Sequence, residues 1–278
     1  MNLFRAAGMV IWAVRSAAAC ALRGRIWLAF AAIAGVQLIA LAMVLNFHWG
    51  ILSPVVVPLI TGFAGPAATH YPNFYLALPV VFSRFSLILS VLVTCIMVGA
   101  AIVLFAQAFG RVENMKPWKV ARKRYPALLI ATLILAITLF AVPYLSLLIP
   151  KEAMLNNSMV RWGTRGVLLL LSILVQSFLI YAAAWVLLRN EHAFKAVADS
   201  CRLTLATFVP TVVLVGLPAV LMYPLSFLDS RGDLFVTKFR PEAVTGLMLV
   251  QIVLELLFGF LLVGATTRIF IYQTEEAA

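Results

Sequence analysis

The chain has 278 residues, of which 64% are hydrophobic and only 11% charged, and its mean hydropathy is +1.06. A water-soluble domain is about a quarter charged and under half apolar, so this composition excludes a soluble globular protein and requires lipid as solvent. The formal net charge of +11 sits in segments between apolar runs, which points to anionic lipid head groups as partner rather than nucleic acid.

Cys20, Cys95 and Cys201 stand alone in the sequence. They make no disulfide framework, zinc site or redox motif. Arg15, Arg23 and Arg25 interrupt what could otherwise be a signal peptide or lipoprotein cleavage box, so the N-terminal segment is expected to be retained.

Residues 3–25 predict a helix lying on the membrane surface. A first crossing over 26–47 follows, ending in the interfacial anchor Asn46-Phe47-His48-Trp49. Residues 48–83 form the longest connection. Its apolar part, 51–66, is too short to span and is broken by Pro54, Pro58, Gly62 and Gly65, which predicts a re-entrant or interfacial segment. An aromatic band over 69–75 is expected at head-group level, before a second crossing over 85–110. Arg111, Lys116, Lys119, Arg122, Lys123 and Arg124 form the densest basic cluster, with a surface helix over 115–125. It leads through Pro126 into a third crossing, 126–148, which Pro143 should kink near its far end.

A polar loop over 151–165 contains Asn156-Asn157-Ser158, a formal glycosylation acceptor of a kind common by chance. The fourth crossing is expected over 166–188. Residues 191–207 then predict an amphipathic surface helix, with Phe194, Val197, Cys201 and Leu205 on one face and Lys195, Asp199 and Arg202 on the other. It runs directly into the fifth crossing, 208–228, which holds Pro210, Pro218 and Pro224. A polar turn over 229–242 precedes the sixth crossing, 243–271, and a short acidic tail.

Loop charge sets the orientation. With the N-terminus inside, the inner segments carry Arg5, Arg15, Arg23, Arg25, the 111–124 cluster, Arg189, Lys195, Arg202 and Arg268. These outnumber Arg84, Lys151, Arg161, Arg165, Arg231, Lys238 and Arg240 outside. A surface segment also precedes each odd-numbered crossing, with an aromatic near its start (Trp12, Trp118, Phe194). This suggests a threefold repeat of surface helix plus hairpin, although ordinary juxtamembrane basic helices give the same pattern.

Two stretches carry a resemblance. The entry Trp118-Lys-Val-Ala-Arg-Lys-Arg-Tyr-Pro-Ala-Leu-Leu and the later Ala196-Val-Ala-Asp-Ser200-Cys-Arg202-Leu203-Thr204 resemble the six-helix membrane proteins related to the membrane domain of bacterial glycerophosphoryl diester phosphodiesterases, and the similar YciC-like family. The resemblance runs from Lys116 onward at the level of topology. Cys201 stands where an aromatic is usual, and the Gly-x-Phe-Trp that often follows is missing. It implies a membrane domain and carries over no catalytic residue.

Glu255 falls about midway between Ala243 and Arg268, hence near the bilayer centre. An ionised carboxylate there costs about 3 kcal/mol or more. Arg84 is expected at a helix end, so no Lys or Arg shares that depth in another crossing and desolvation favours the neutral acid. Gln251 lies one turn earlier on the same face. The carboxyl fits either a proton- or cation-carrying role in a cavity, or a hydrogen bond that holds helices together. Gln37, Thr94, Gln176 and Ser177 are other mid-depth groups. They could line one polar cavity with Glu255, or each satisfy a neighbour. His48 and His70 lack a third ligand and read as interfacial residues, so no metal is expected. No P-loop, nucleophile elbow or paired carboxylates appear, and neither catalysis nor a cofactor is expected.

The expectation is an all-α membrane protein of six transmembrane helices with cytoplasmic amphipathic surface helices. Both termini are cytoplasmic, in a single integral domain of the bacterial inner membrane. The leading role is non-enzymatic membrane organisation with anionic head-group contacts at the 111–124 cluster. A transporter or channel for a small or amphipathic solute, using the polar midplane around Glu255, is the alternative; a membrane-embedded lipid-modifying enzyme is the third.

Overall fold

A computed structural model of the protein describes residues 3–148, 158–229, 238 and 240–276. Much of the expected polar loop after residue 148, including Asn156 and Asn157 of the glycosylation tripeptide, and most of the turn after Asp229 lie outside the described residues.

All regular structure among the described residues is helical. The helices are α1 (Leu3–Ala19), α2 (Gly24–Leu45), α3 (Ser53–Ala64), α4 (Asn73–Leu89), α5 (Cys95–Ala108), α6 (Pro117–Lys123), α7 (Tyr125–Ala141), α8 (Ser158–Leu179), α9 (Ala182–Leu188), α10 (Ala193–Ala206), α11 (Phe208–Asp229) and α12 (Ala243–Glu276). Short 3-10 turns cover Cys20–Leu22, Pro66–Thr69 and Val142–Leu148, and a π turn, Ser90–Thr94, joins α4 to α5.

Among the described residues seven helical rods are long and apolar enough to cross a bilayer. The protein is an integral membrane protein. Six rods correspond to the expected crossings. The seventh, Phe4–Leu22, occupies the segment expected to lie on the surface and is the least apolar of the seven.

Several boundaries differ from the expectation. The second crossing belongs to a continuous rod, Asn73–Ala108, of 36 residues, which at 1.5 Å per residue is about 54 Å long. Pro79 lies inside it, because a proline removes one ladder donor without forcing the chain out of a packed helix. The long connection therefore ends at Pro72, and Arg84 lies within α4 rather than at a helix end. The fourth rod starts at Ser158 and is interrupted between Leu179 and Ala182. Where Pro143 was expected to kink the third crossing, α7 gives way to a 3-10 turn.

The chain clusters into two compact units. The first comprises Met1–Ala29, Cys95–Ala219 and Phe260–Ala278; the second comprises Phe30–Thr94 and Val220–Gly259. The first unit packs on small residues. Ala6, Ala13 and Ala17 of α1 are fully buried, as are Ala100, Ala106 and Ala121. Lipid tails are as apolar as leucine, so helices in a membrane gain little from hydrophobicity and depend on close approach. Gly264 of α12 shows how close. A Cβ built there would lie 2.7 Å from the Ala17 Cβ and 2.7 Å from the Phe105 ring. Trp27 stacks on Phe260 with centroids 4.4 Å apart, and Phe260 meets Phe105 edge-on.

In the second unit Leu41, Val44 and Phe47 pack with Val56 and Ile60 of α3, Leu78 and Val81 of α4, and Met248 and Ile252 of α12. With 12 residues, α3 is too short to cross a bilayer. It lies against α4 and the Pro66–Thr69 turn.

Gly264→Ala should therefore lower the unfolding free energy of the detergent-solubilised protein by about 1–3 kcal/mol through overpacking. Gly246→Ala, where the added methyl meets nothing within 4 Å, should leave the melting temperature unchanged. Equal melting of both variants would show that α1 does not pack this tightly.

Candidate functional site

Three of the mid-depth groups singled out in the sequence come together in the second unit. Gln251 and Glu255 are one turn apart on α12, and the Gln251 Nε2 donates to Glu255 Oε1 at 2.9 Å. Gln37 of α2, 218 positions away in sequence, donates from Nε2 to the other carboxylate oxygen at 3.0 Å. Both oxygens of Glu255 thus accept from amides. Gln251 Oε1 is buried without a partner, while Glu255 itself is exposed. Two amides from different helices thus meet on the one carboxyl group.

The other midplane candidates are used differently. Thr94 sits in the π turn, and its hydroxyl donates to the Leu89 carbonyl at 3.4 Å. Gln176 and Ser177 belong to the first unit, where Ser177 is buried and donates to the Ile173 carbonyl at 2.7 Å. His48 is exposed and stacks on Phe47 at 3.8 Å. Among the described residues no group of three His, Cys, Asp or Glu could hold a metal ion.

The basic cluster lies in the first unit. Pro117 starts α6 and Lys116 caps it in an extended conformation. Arg122 and Lys123 fall in the last turn, where the helix dipole favours cations. Ala121 is fully buried and anchors α6, which packs on α5 and α7. Lys116, Lys119, Arg122 and Lys123 are exposed and Arg124 half-buried. Arg111 is set apart from them by an ion pair with Glu275. None of the other five has an acidic partner among the described residues.

In α10 the face that packs on the protein is a third one, made of small and hydroxyl residues. Ala193, Ala196, Ser200 and Thr204 are buried, whereas Phe194 is 73% and Leu205 66% exposed. The reason is the interruption between α8 and α9. The last carbonyls of a helix lack ladder donors. Here Ser200 donates to the Phe178 carbonyl at 2.7 Å and Thr204 to the Ser177 carbonyl at 2.8 Å. Thr207 and Thr211 extend the chain of hydroxyls to a hydrogen bond between Thr211 and the buried Tyr181 at 2.8 Å. The i, i+4, i+8 spacing of Ala196, Ser200 and Thr204 is the sequence signal for this face.

The charges of α10 neutralise one another. Lys195 pairs with Glu191 at 3.0 Å and Arg202 with Asp199 at 3.2 Å. The bond to Glu191 raises the Lys195 ammonium above its usual pKa. Burial likewise raises the Cys201 thiol, which stays protonated and unreactive at neutral pH.

No protein-family model, curated protein or solved structure gives a significant match to the chain.

Ser200→Ala and Thr204→Val should each cost about 1 kcal/mol of stability, because each leaves a helix-end carbonyl unpaired away from water. Leu205→Ala, which removes only exposed atoms, should leave thermal unfolding in detergent unaltered. Wild-type stability in the double hydroxyl variant would show that α10 is not held by these bonds.

Proposed function

We propose that this is a non-catalytic membrane protein that grips anionic lipid of the cytoplasmic leaflet through α6 and α10 and so organises the bilayer around it. The observation that carries the reading is the exposed set Lys116, Lys119, Arg122 and Lys123, without an acidic partner among the described residues. Each such residue near an anionic leaflet contributes about 1 kcal/mol. The neutralised pairs of α10 contribute little by charge. Its outward Phe194 and Leu205 suit it to lie in the head-group plane with those side chains among the acyl chains. Placement in a bacterial inner membrane, with both termini inside, is part of this reading and rests on the basic bias of the inner segments. The resemblance at 118–129 and 196–204 is in keeping with a non-catalytic role.

The test is thermal unfolding of the purified protein with phosphatidylglycerol against phosphatidylcholine. Anionic lipid should raise the melting temperature, high salt should diminish the rise, and changing Lys116, Lys119, Arg122 and Lys123 together to Gln should remove most of it. A rise of the same size in that variant, indifferent to salt, sinks the proposal.

A second reading is favoured by the Gln37–Glu255–Gln251 arrangement: movement of a proton or a small cation-coupled solute by way of the second unit. Glutamine at position 255 can still bond both amides, so Glu255→Gln should preserve folding while abolishing uptake of a proton- or cation-driven solute into proteoliposomes. Undiminished uptake would leave the cluster a structural tie between α2 and α12.

A further inference from the structure

We propose that a cavity of the first unit, between the Cys20–Leu22 turn, the end of α5 and α12, is a binding site for one phosphate group held by Arg23 and Arg268. It goes beyond the α6 reading, in which many charges act by number on a leaflet. Here two guanidinium groups converge on a single space.

The cavity measures about 280 Å³, at the lower edge of ligand-sized pockets, which start near 300 Å³. That is room for a head group rather than a whole metabolite. Arg23, Arg268, Ser16, Cys20 and Phe109 are among its lining residues, and no acidic side chain lines it. Ser16 gives its hydroxyl proton to the Trp12 carbonyl at 2.8 Å. The strong side-chain donors into the space are therefore those of the two arginines.

Each arginine is held in place before any ligand arrives. Arg23 donates from Nη1 to the Ala108 carbonyl, the last of α5, at 3.0 Å, a position where a helix end favours a cation. Its remaining N–H groups carry no bond to the described residues beyond that one carbonyl. Arg268 is shelved on rings, its guanidinium carbon 4.6 Å from the Trp12 centroid and 5.0 Å from the Phe109 centroid. No carboxylate pairs with it among the described residues, and its Nε is buried without a hydrogen-bond partner. Arg111 and Arg202, by contrast, are each paired with an acid.

An unpartnered buried N–H calls for an oxygen acceptor. Two cations with no acid beside them call for an anion. Ring stacking covers guanidinium faces and leaves the edges, and an edge presents paired N–H donors that match a phosphate bidentately. Leu22, next to Arg23 in the chain, is 95% exposed, which suits a phosphate carried by an acyl lipid better than a free one.

The test uses the full-length protein in neutral detergent. Native mass spectrometry is read with phosphatidylglycerol, with phosphatidylcholine and with inorganic phosphate as probes. One saturable phosphatidylglycerol should bind, weakened about tenfold or more by Arg268→Gln and by Arg23→Gln. Arg268→Lys, which keeps the charge but loses the planar fork, should also weaken it. The quadruple Gln variant of α6 should leave this single site intact, which separates failure here from failure of the α6 reading. Inorganic phosphate that binds equally well, with the same sensitivity to Arg23 and Arg268, would assign the site to free phosphate and keep the chemistry. If Arg268→Gln does not fold, Arg23→Gln and Arg268→Lys decide. Binding of all three probes unaffected by the arginine variants overturns the proposal and leaves Arg268 a packing element.

Discussion

A helix backbone in hydrocarbon has no water to turn to, so every interruption of its hydrogen-bond ladder must be repaired by the chain itself. That constraint explains where this protein places its hydroxyls. Between α8 and α9 the repair comes from Ser200 and Thr204 of α10. At the π turn it comes from Thr94. At the 3-10 turn that begins beside Pro143, Ser146 donates to the Pro143 carbonyl at 2.6 Å. Thr138, Thr164 and Thr267 bond back to their own helices. Hydroxyls here serve the backbone.

The Gln37–Glu255–Gln251 group, like the Thr207–Thr211–Tyr181 hydroxyls, is used differently. Its bonds run from side chain to side chain, and it leaves a carboxylate exposed at the middle of a long apolar helix. A carboxylate in such a position is costly. A structural tie alone could be made by the two glutamines.

Several cations of the first unit differ in how they are held, and the difference decides what each can bind. Lys195, Arg202 and Arg111 are neutralised by acids. Arg268 is shelved on aromatic rings. The α6 residues are left open. The last two kinds are available to an external anion, one as a pocket and the other as a patch. Small-residue packing lets α1 approach α12 closely at Gly264, and Arg268, four residues further along α12, lies over the Trp12 ring of α1.

Apolar runs of about 20 residues are decisive in lipid whatever surrounds them. The membrane class and six of the seven apolar rods were therefore legible in the sequence, as was the pairing of Gln251 with Glu255, which one helical turn dictates. Boundaries were less so. Pro79 and Arg84 look like the end of a helix when read locally, but a proline inside a packed membrane helix loses little. Which face of α10 packs on the protein was not legible, because large apolar residues ordinarily mark the buried side. In lipid they mark the outside as readily, and small or hydroxyl residues mark the protein side.

The sequence by itself thus determined solvent, helix positions and the distribution of charge, because these depend on composition within one segment. Tertiary structure alone decided which polar groups meet. Gln37 reaches Glu255 across 218 positions, and Arg23 and Arg268 line one cavity from opposite ends of the chain. Contacts of that kind follow from how helices pack, through close approaches such as Gly264 on Ala17, and no periodicity within a single helix encodes them.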